Sequence, residues 1–145
     1  MTRKLFLLTT ILLLLISLIA LPLSSGCKAT APTSEKVSEA AEIKPIDPEE
    51  VYEIIKNDED YLIVDVRTIE EYNSGHIEGA LLLPVQELED RLNELPMDKP
   101  IIVYCRSGNR SRTAAEILVN NGFMQIYDMG GISDWIDKGY PVIEE

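Results

Sequence analysis

Cys105 is followed by Arg106-Ser107-Gly108-Asn109-Arg110, a polar, basic loop. Ahead of it stands Ile101-Ile102-Val103-Tyr104, a short β-branched run that reads as a buried strand. Behind it, Ser111 to Asn121 carries Ala114, Ala115, Leu118 and Val119 at helical spacing, with Gly122 as the stop. A cysteine between the carboxyl end of a strand and the amino end of a helix is placed to be a nucleophile. Residues Arg106, Ser107, Gly108, Asn109 and Arg110 offer successive backbone N–H groups, and Gly108 is free to take positive φ in a tight turn. Such a loop is an anion cradle. Its peptide dipoles and the guanidinium groups of Arg106 and Arg110 favour thiolate over thiol. The same groups suit an oxyanionic donor such as thiosulfate, whose outer sulfur would move to Cys105 as sulfite leaves. Blander roles exist for both residues: Cys105 as a small buried hydrophobe, and Arg110 as the partner of an acidic neighbour.

The elements that must position this loop alternate between strand and helix. The folded unit begins near Ile43. Asp47-Pro48-Glu49-Glu50 starts a helix to about Lys56, with Asp47 as N-cap and Pro48 at the first position. Tyr61 to Val66 reads as a strand, Thr68 to Tyr72 as a short helix, and Ala80 to Leu83 as a second strand stopped by Pro84. Glu87 to Leu95 is expected to be an amphipathic helix, with Leu88, Leu92 and Leu95 on one stripe and Pro96 closing it. After the Cys105 strand and its helix, Gln125 to Tyr127 is a further short strand. Gly130-Gly131 and a last helix through Trp135 follow. This alternation predicts a small α/β domain, a mainly parallel central sheet of about five strands flanked by helices. Sites in such sheets lie at the carboxyl ends of strands, where Cys105 is.

Several stretches together resemble a single-domain rhodanese, the thiosulfate sulfurtransferase-like family. They are Asp65-Val66-Arg67, Glu70-Glu71-Tyr72, Gly75-His76-Ile77, Gly79-Ala80, Cys105 to Ser111, and Gly130-Gly131-Ile132-Ser133-Asp134-Trp135, in the family's order and spacing. The match covers about residues 43–142. The resemblance implies a sulfurtransferase cycle in which Cys105 accepts sulfane sulfur, rests as a persulfide and passes the sulfur to a thiol or to cyanide. It implies no metal and no organic cofactor. Of the two loop arginines, it implies that Arg110 turns inward. Rhodanese-like phosphatases have a loop one residue longer and an arginine six positions after the cysteine. Ser111 stands there in this chain, between Arg110 and Arg112. The resemblance places His76 in a structural loop rather than in a Cys-His dyad. Asp65 and Arg67 are expected to pair structurally, and Trp135 to anchor the core. From a different functional class, the alternative is a non-catalytic sulfur-delivery or protein-docking module on the same fold.

The front of the chain has a separate organisation. Residues 1–26 have the parts of an export signal or membrane anchor: Arg3 and Lys4, an apolar run from Leu5 to Leu23, then small residues. That run is long for a signal peptide and just long enough to span a bilayer. The positive charge precedes it, which puts the remainder outside the cytoplasm. Leu23-Ser24-Ser25-Gly26-Cys27 resembles a bacterial lipoprotein lipobox, with Cys27 as the lipidation site, although Ser24 departs from the usual aliphatic residue. An uncleaved transmembrane anchor is one alternative. Secretion after cleavage near Ala29-Thr30-Ala31, with Pro32 just beyond the cut, is the other. Residues 27–42 read as a flexible linker and residues 43–145 as the domain.

The whole chain of 145 residues carries a formal charge of −12, and loss of Arg3 and Lys4 leaves 11 basic against 25 acidic residues, or −14. Nucleic acid is an unsuitable partner for that surface. The expected partners are small sulfur-containing anions, thiol acceptors and a membrane, with the domain a monomer on the extracytoplasmic face of the cell membrane. Cys27 and Cys105 are not expected to form a disulfide, since Cys27 lies at the signal junction.

Overall fold

The computed structural model describes residues 41–145. The expected signal segment, Cys27 and the linker up to residue 40 lie outside the described residues. Among the described residues no helix is long and apolar enough to cross a membrane.

The elements run β1 (Glu42–Pro45), α1 (Pro48–Lys56), β2 (Leu62–Asp65), α2 (Ile69–Asn73), β3 (Leu81–Leu82), a 3-10 segment (Glu89–Glu94), β4 (Ile101–Cys105), α3 (Asn109–Asn120), β5 (Gln125–Gly131) and α4 (Ile132–Asp137). The five strands form one sheet in the order β1-β5-β4-β2-β3, and every pairing is parallel. Parallel strands need crossovers and are covered on both faces, which is why β4 is buried along its whole length. Side chains alternate across it. Ile101, Val103 and Cys105 join Val64, Val66, Ala114, Ala115 and Leu118 on one face. On the other, Ile102 and Tyr104 join Val51, Ile54, Ile63, Ile132 and Trp135. The fold class is as the alternation of elements predicts.

Three local expectations need correction. Asp47 occupies the N-cap position of α1, but its side chain makes no capping bond. The stripe from Glu87 to Leu95 is not an α-helix. It forms tight 3-10 turns interrupted at Arg91, whose φ of −119° and ψ of 16° are non-helical. Pro96 forces Leu95 into extended backbone, and a stretch this short between two prolines cannot offset the cost of helix nucleation. Leu88 and Leu95 still reach the core. Finally, β5 does not stop at Tyr127. It continues through Gly130 and Gly131, which pair with Tyr104 and Cys105, while Met129 is an extra residue where the register shifts.

Candidate active site

Cys105 is the last residue of the central strand β4, and the chain turns at once into α3. Gly108 makes that turn with φ +98° as the N-cap of α3. A Cβ there would meet Gly130 Cα at 3.7 Å, so it is the left-handed backbone and not crowding that calls for glycine. Gly131 has the opposite reason. Its φ of −103° suits any residue, but a Cβ would lie 2.8 Å from Arg106 O, 2.8 Å from Ser133 Oγ and 3.0 Å from Ser107 Cα. The loop is packed directly onto the end of β5.

This packing brings backbone donors to the sulfur. Gly108 N–H donates to Cys105 Sγ at 3.1 Å. Cys105 is only 1% exposed, and burial by itself pushes a thiol up. The N–H groups of Ser111, Ser107 and Gly108, joined by the Ser111 hydroxyl, outweigh that burial and hold Cys105 below the ordinary thiol value. Ser111 is fully buried, with its hydroxyl 3.0 Å from Gly108 O and 3.4 Å from Gly130 O. Of the expected cradle, Gly108 makes the direct hydrogen bond to the sulfur, and the Arg110 guanidinium also lies close to it.

The two arginines of the loop divide. Arg110 turns inward, but its guanidinium is held by Glu71: Nη1 donates to Oε2 at 2.6 Å and Nη2 to Oε1 at 2.7 Å. The acidic-neighbour role therefore holds together with proximity to Cys105, whose charge helps to raise the Arg110 pKa after the Glu71 bonds have done so. Glu71 is in turn the N3 residue of a capping box with Thr68 on α2. Its carboxyl is lowered to about 2, first by the Arg110 bonds. Arg106 is exposed and makes no ion pair among the described residues. It walls a cavity of about 390 Å³ with Arg67, Glu71, Ser74, Ile132, Ser133 and Ile136. Cys105 does not line that cavity, which lies beside its loop.

The remaining charged candidates are structural. Asp65 and Arg67 form a buried pair, with Arg67 Nη2 donating to Asp65 Oδ2 at 2.6 Å and to Gly75 O at 2.8 Å. His76 stacks on Tyr72 with ring centroids 3.6 Å apart and donates from Nδ1 to Tyr72 O at 3.1 Å, so its ring is committed to the scaffold. Trp135 is buried against Tyr52 and Tyr140, and its indole N–H donates to Pro141 O. Arg112 lies exposed beside Glu116, with Nε 3.5 Å from Oε1. Among the described residues no group of three metal-ligating side chains comes together.

Reading the sequence missed Ser111 and Glu71 as parts of this site. Both sit inside the quoted motifs. The signal available for Glu71 was a Thr-x-x-Glu pattern before a helix, which speaks of capping and not of the Cys105 loop.

The arrangement can stabilise a buried sulfur anion and admit a small anion alongside it. Known proteins carry the same architecture. The profile of the rhodanese-like domain matches residues 47–138. A sulfurtransferase of Allochromatium vinosum is 36% identical over 102 residues, covering 70% of this chain and 95% of that protein. The thiosulfate sulfurtransferase GlpE of Coxiella burnetii is 36% identical over 93 residues, covering 63% of this chain and 86% of the relative. The crystal structure of a rhodanese-related protein from Thermoplasma volcanium superposes with a TM-score of 0.64 at 37% identity, covering 70% of this chain and 99% of that one. By the domain match over residues 47–138 and these similarities in sequence and fold, this chain belongs to the rhodanese-like domain family.

Proposed function

We propose that the protein is an extracytoplasmic sulfurtransferase that moves sulfane sulfur from a small anionic donor to a thiol or cyanide through a persulfide on Cys105. The observation that carries this reading is the turn that sets Cys105 Sγ at the amino end of α3, where Gly108 N–H donates to it at 3.1 Å. With thiosulfate, the Cys105 thiolate attacks the outer sulfur. A new Sγ–S bond forms, the donor's S–S bond breaks, and its electron pair leaves with sulfite. An acceptor thiolate or cyanide then attacks the terminal sulfur, and the Cys105 thiolate departs into the donors that stabilise it. No step requires a general base, consistent with a structural His76. The relatives named as sulfurtransferases support the reaction class.

The location rests on the apolar leader and on Cys27. A lipid on Cys27, or an uncleaved anchor, would tether the domain through its linker to the outer face of the membrane as a monomer. Outside the reducing cytosol a lone thiol is exposed to oxidation, and the buried position of Sγ limits that exposure.

Mass spectrometry after thiosulfate treatment tests the chemistry. A single added sulfur atom on Cys105 is expected in the wild type and none in Cys105→Ser, which must also lose cyanide-dependent thiocyanate formation. An unmodified Cys105, or full turnover in Cys105→Ser, refutes the reading. The mass of the mature protein from its native membrane reports the modification of Cys27.

A further inference from the structure

This inference rests on the Cys105 sulfur-transfer reading and concerns what holds the cavity beside its loop in shape. Two walls of that cavity come from separate elements. Arg67 and Ser74 belong to the chain on either side of α2, whereas Ile132, Ser133 and Ile136 belong to α4. Among the described residues no hydrogen bond or ion pair joins these two walls directly.

The segment that follows α4 joins them instead. Its near end is fixed to α4, since Tyr140 N–H donates to Trp135 O at 3.2 Å and the Trp135 indole N–H to Pro141 O at 2.9 Å. Its far end lies antiparallel on residues 73–76. His76 N–H donates to Ile143 O at 2.9 Å, Ile143 N–H to His76 O at 2.8 Å, and Glu145 N–H to Asn73 O at 3.1 Å. Buried Gly75 lies against this segment, and a Cβ there would come within 3.4 Å of Val142 Cγ2. Gly75 O in turn accepts from Arg67 Nη2 at 2.8 Å, so the constraint reaches a cation of the cavity wall. Val142 and Ile143 are themselves exposed, so backbone bonds and not buried side chains hold the far end in place.

We propose that residues 141–145 brace the cavity that seats the sulfur donor, fixing the wall of Arg67 and Ser74 against the wall formed by α4. Ile143 is a positioning residue, acting through His76 and Gly75. The sulfur-transfer step itself is unchanged by the brace, which sets only how well the donor is held before Cys105 attacks.

The test uses the full-length protein with thiosulfate as donor and cyanide as acceptor. Ile143→Pro removes the N–H that bonds His76 O, whereas Ile143→Val keeps every backbone bond. KM for thiosulfate is expected to rise about threefold to tenfold in Ile143→Pro, the worth of one hydrogen bond. A chain ended at Pro141 should show at least the same rise. In both variants kcat at saturating thiosulfate should hold, the pattern of lost donor binding. Alkylation of Cys105 by iodoacetamide should also hold, because Gly108 N–H belongs to the turn between β4 and α3. Ile143→Val should match the wild type throughout. Urea titration identifies the variants that remain folded. An unchanged KM in a folded Ile143→Pro or in the folded shortened chain overturns the brace and leaves sulfur transfer standing. So does a fall in kcat together with altered alkylation, which would mark the segment as support for the whole fold. If the wild type takes no sulfur from thiosulfate onto Cys105, sulfur transfer and the brace fall together.

Discussion

At the residue scale, the sulfur of Cys105 is acidified against its own burial. Desolvation disfavours the thiolate, and donors fixed in the backbone more than restore it. Because most of these donors are peptide N–H groups, side-chain substitutions leave them in place. The Ser111 hydroxyl and the Arg110 guanidinium are the exceptions. Ser111→Ala is expected to raise the midpoint of the pH profile for iodoacetamide alkylation of Cys105 by a few tenths to about 1 unit, which is the worth of one hydrogen bond to a charged group. Stopped-flow alkylation across pH measures it, and an unmoved midpoint would mean that the hydroxyl serves only Gly108 and Gly130. Below the Cys105 pKa the reaction rate should fall tenfold per pH unit, since the thiolate is the nucleophile.

At the element scale, the loop between β4 and α3 is shaped by two glycines for different reasons. Gly108→Ala makes only an ordinary contact with Gly130 Cα but has a strained φ, and should cost about 1 kcal/mol or somewhat more of stability. Gly131→Ala keeps a comfortable φ but collides with Arg106 O and Ser107 Cα, so the loop must move. Overpacking of this kind costs about 1–3 kcal/mol, and the displaced N–H groups should take most of the persulfide loading with them. Urea titration and loading assays on the two variants separate these outcomes. Equal loading per folded molecule in wild type and Gly131→Ala would show that the contact with β5 does not shape the cradle. The buried Asp65–Arg67 pair holds the next layer, linking β2 to Gly75 ahead of His76. Asp65→Ala strands a buried guanidinium and should destabilise the fold by about 3–5 kcal/mol, readable in the same urea titration.

At the scale of the whole molecule, charge is distributed unevenly. The domain is strongly acidic, yet the cavity beside the Cys105 loop is walled by Arg67 and Arg106, with Glu71 in the same wall held by Arg110. A small anion is drawn to this one region and repelled by the rest, so association should weaken as salt rises. The Glu71–Arg110 pair also joins α2 to α3 at the carboxyl ends of the neighbouring strands β2 and β4, and its pH dependence follows from the depressed carboxyl. Glu71 lies at about 2 in the folded protein, against 4.5 as its ordinary value. Its stabilising contribution is therefore complete above about 4.5 and is lost as pH falls through about 2. Urea midpoints measured from about pH 5 downward should fall less steeply in Glu71→Gln than in the wild type. Parallel slopes would show that the pair adds nothing to stability, as many part-exposed pairs do not.

How much of this was legible in the residues differs by element. The parallel α/β class and the position of Cys105 at a strand end follow from short-range patterns: β-branched runs, helical spacing and Pro and Gly punctuation. These act over a few residues and need no knowledge of partners. The expected helix from Glu87 to Leu95 failed because its leucine stripe satisfies two geometries, and the flanking prolines, with the core that takes Leu88 and Leu95, chose the tighter one. The end of β5 was misplaced because Gly130 and Gly131 read as a turn, whereas the Cys105 loop needs a strand without side chains beside it. Sequence alone thus determined the strand end on which Cys105 stands, the turn that follows it and the charge of the chain, since each is a local property. Only the tertiary structure could decide that Arg110 answers to Glu71, 39 residues earlier in the chain, because that bond exists only once the sheet has brought α2 and α3 to the same edge.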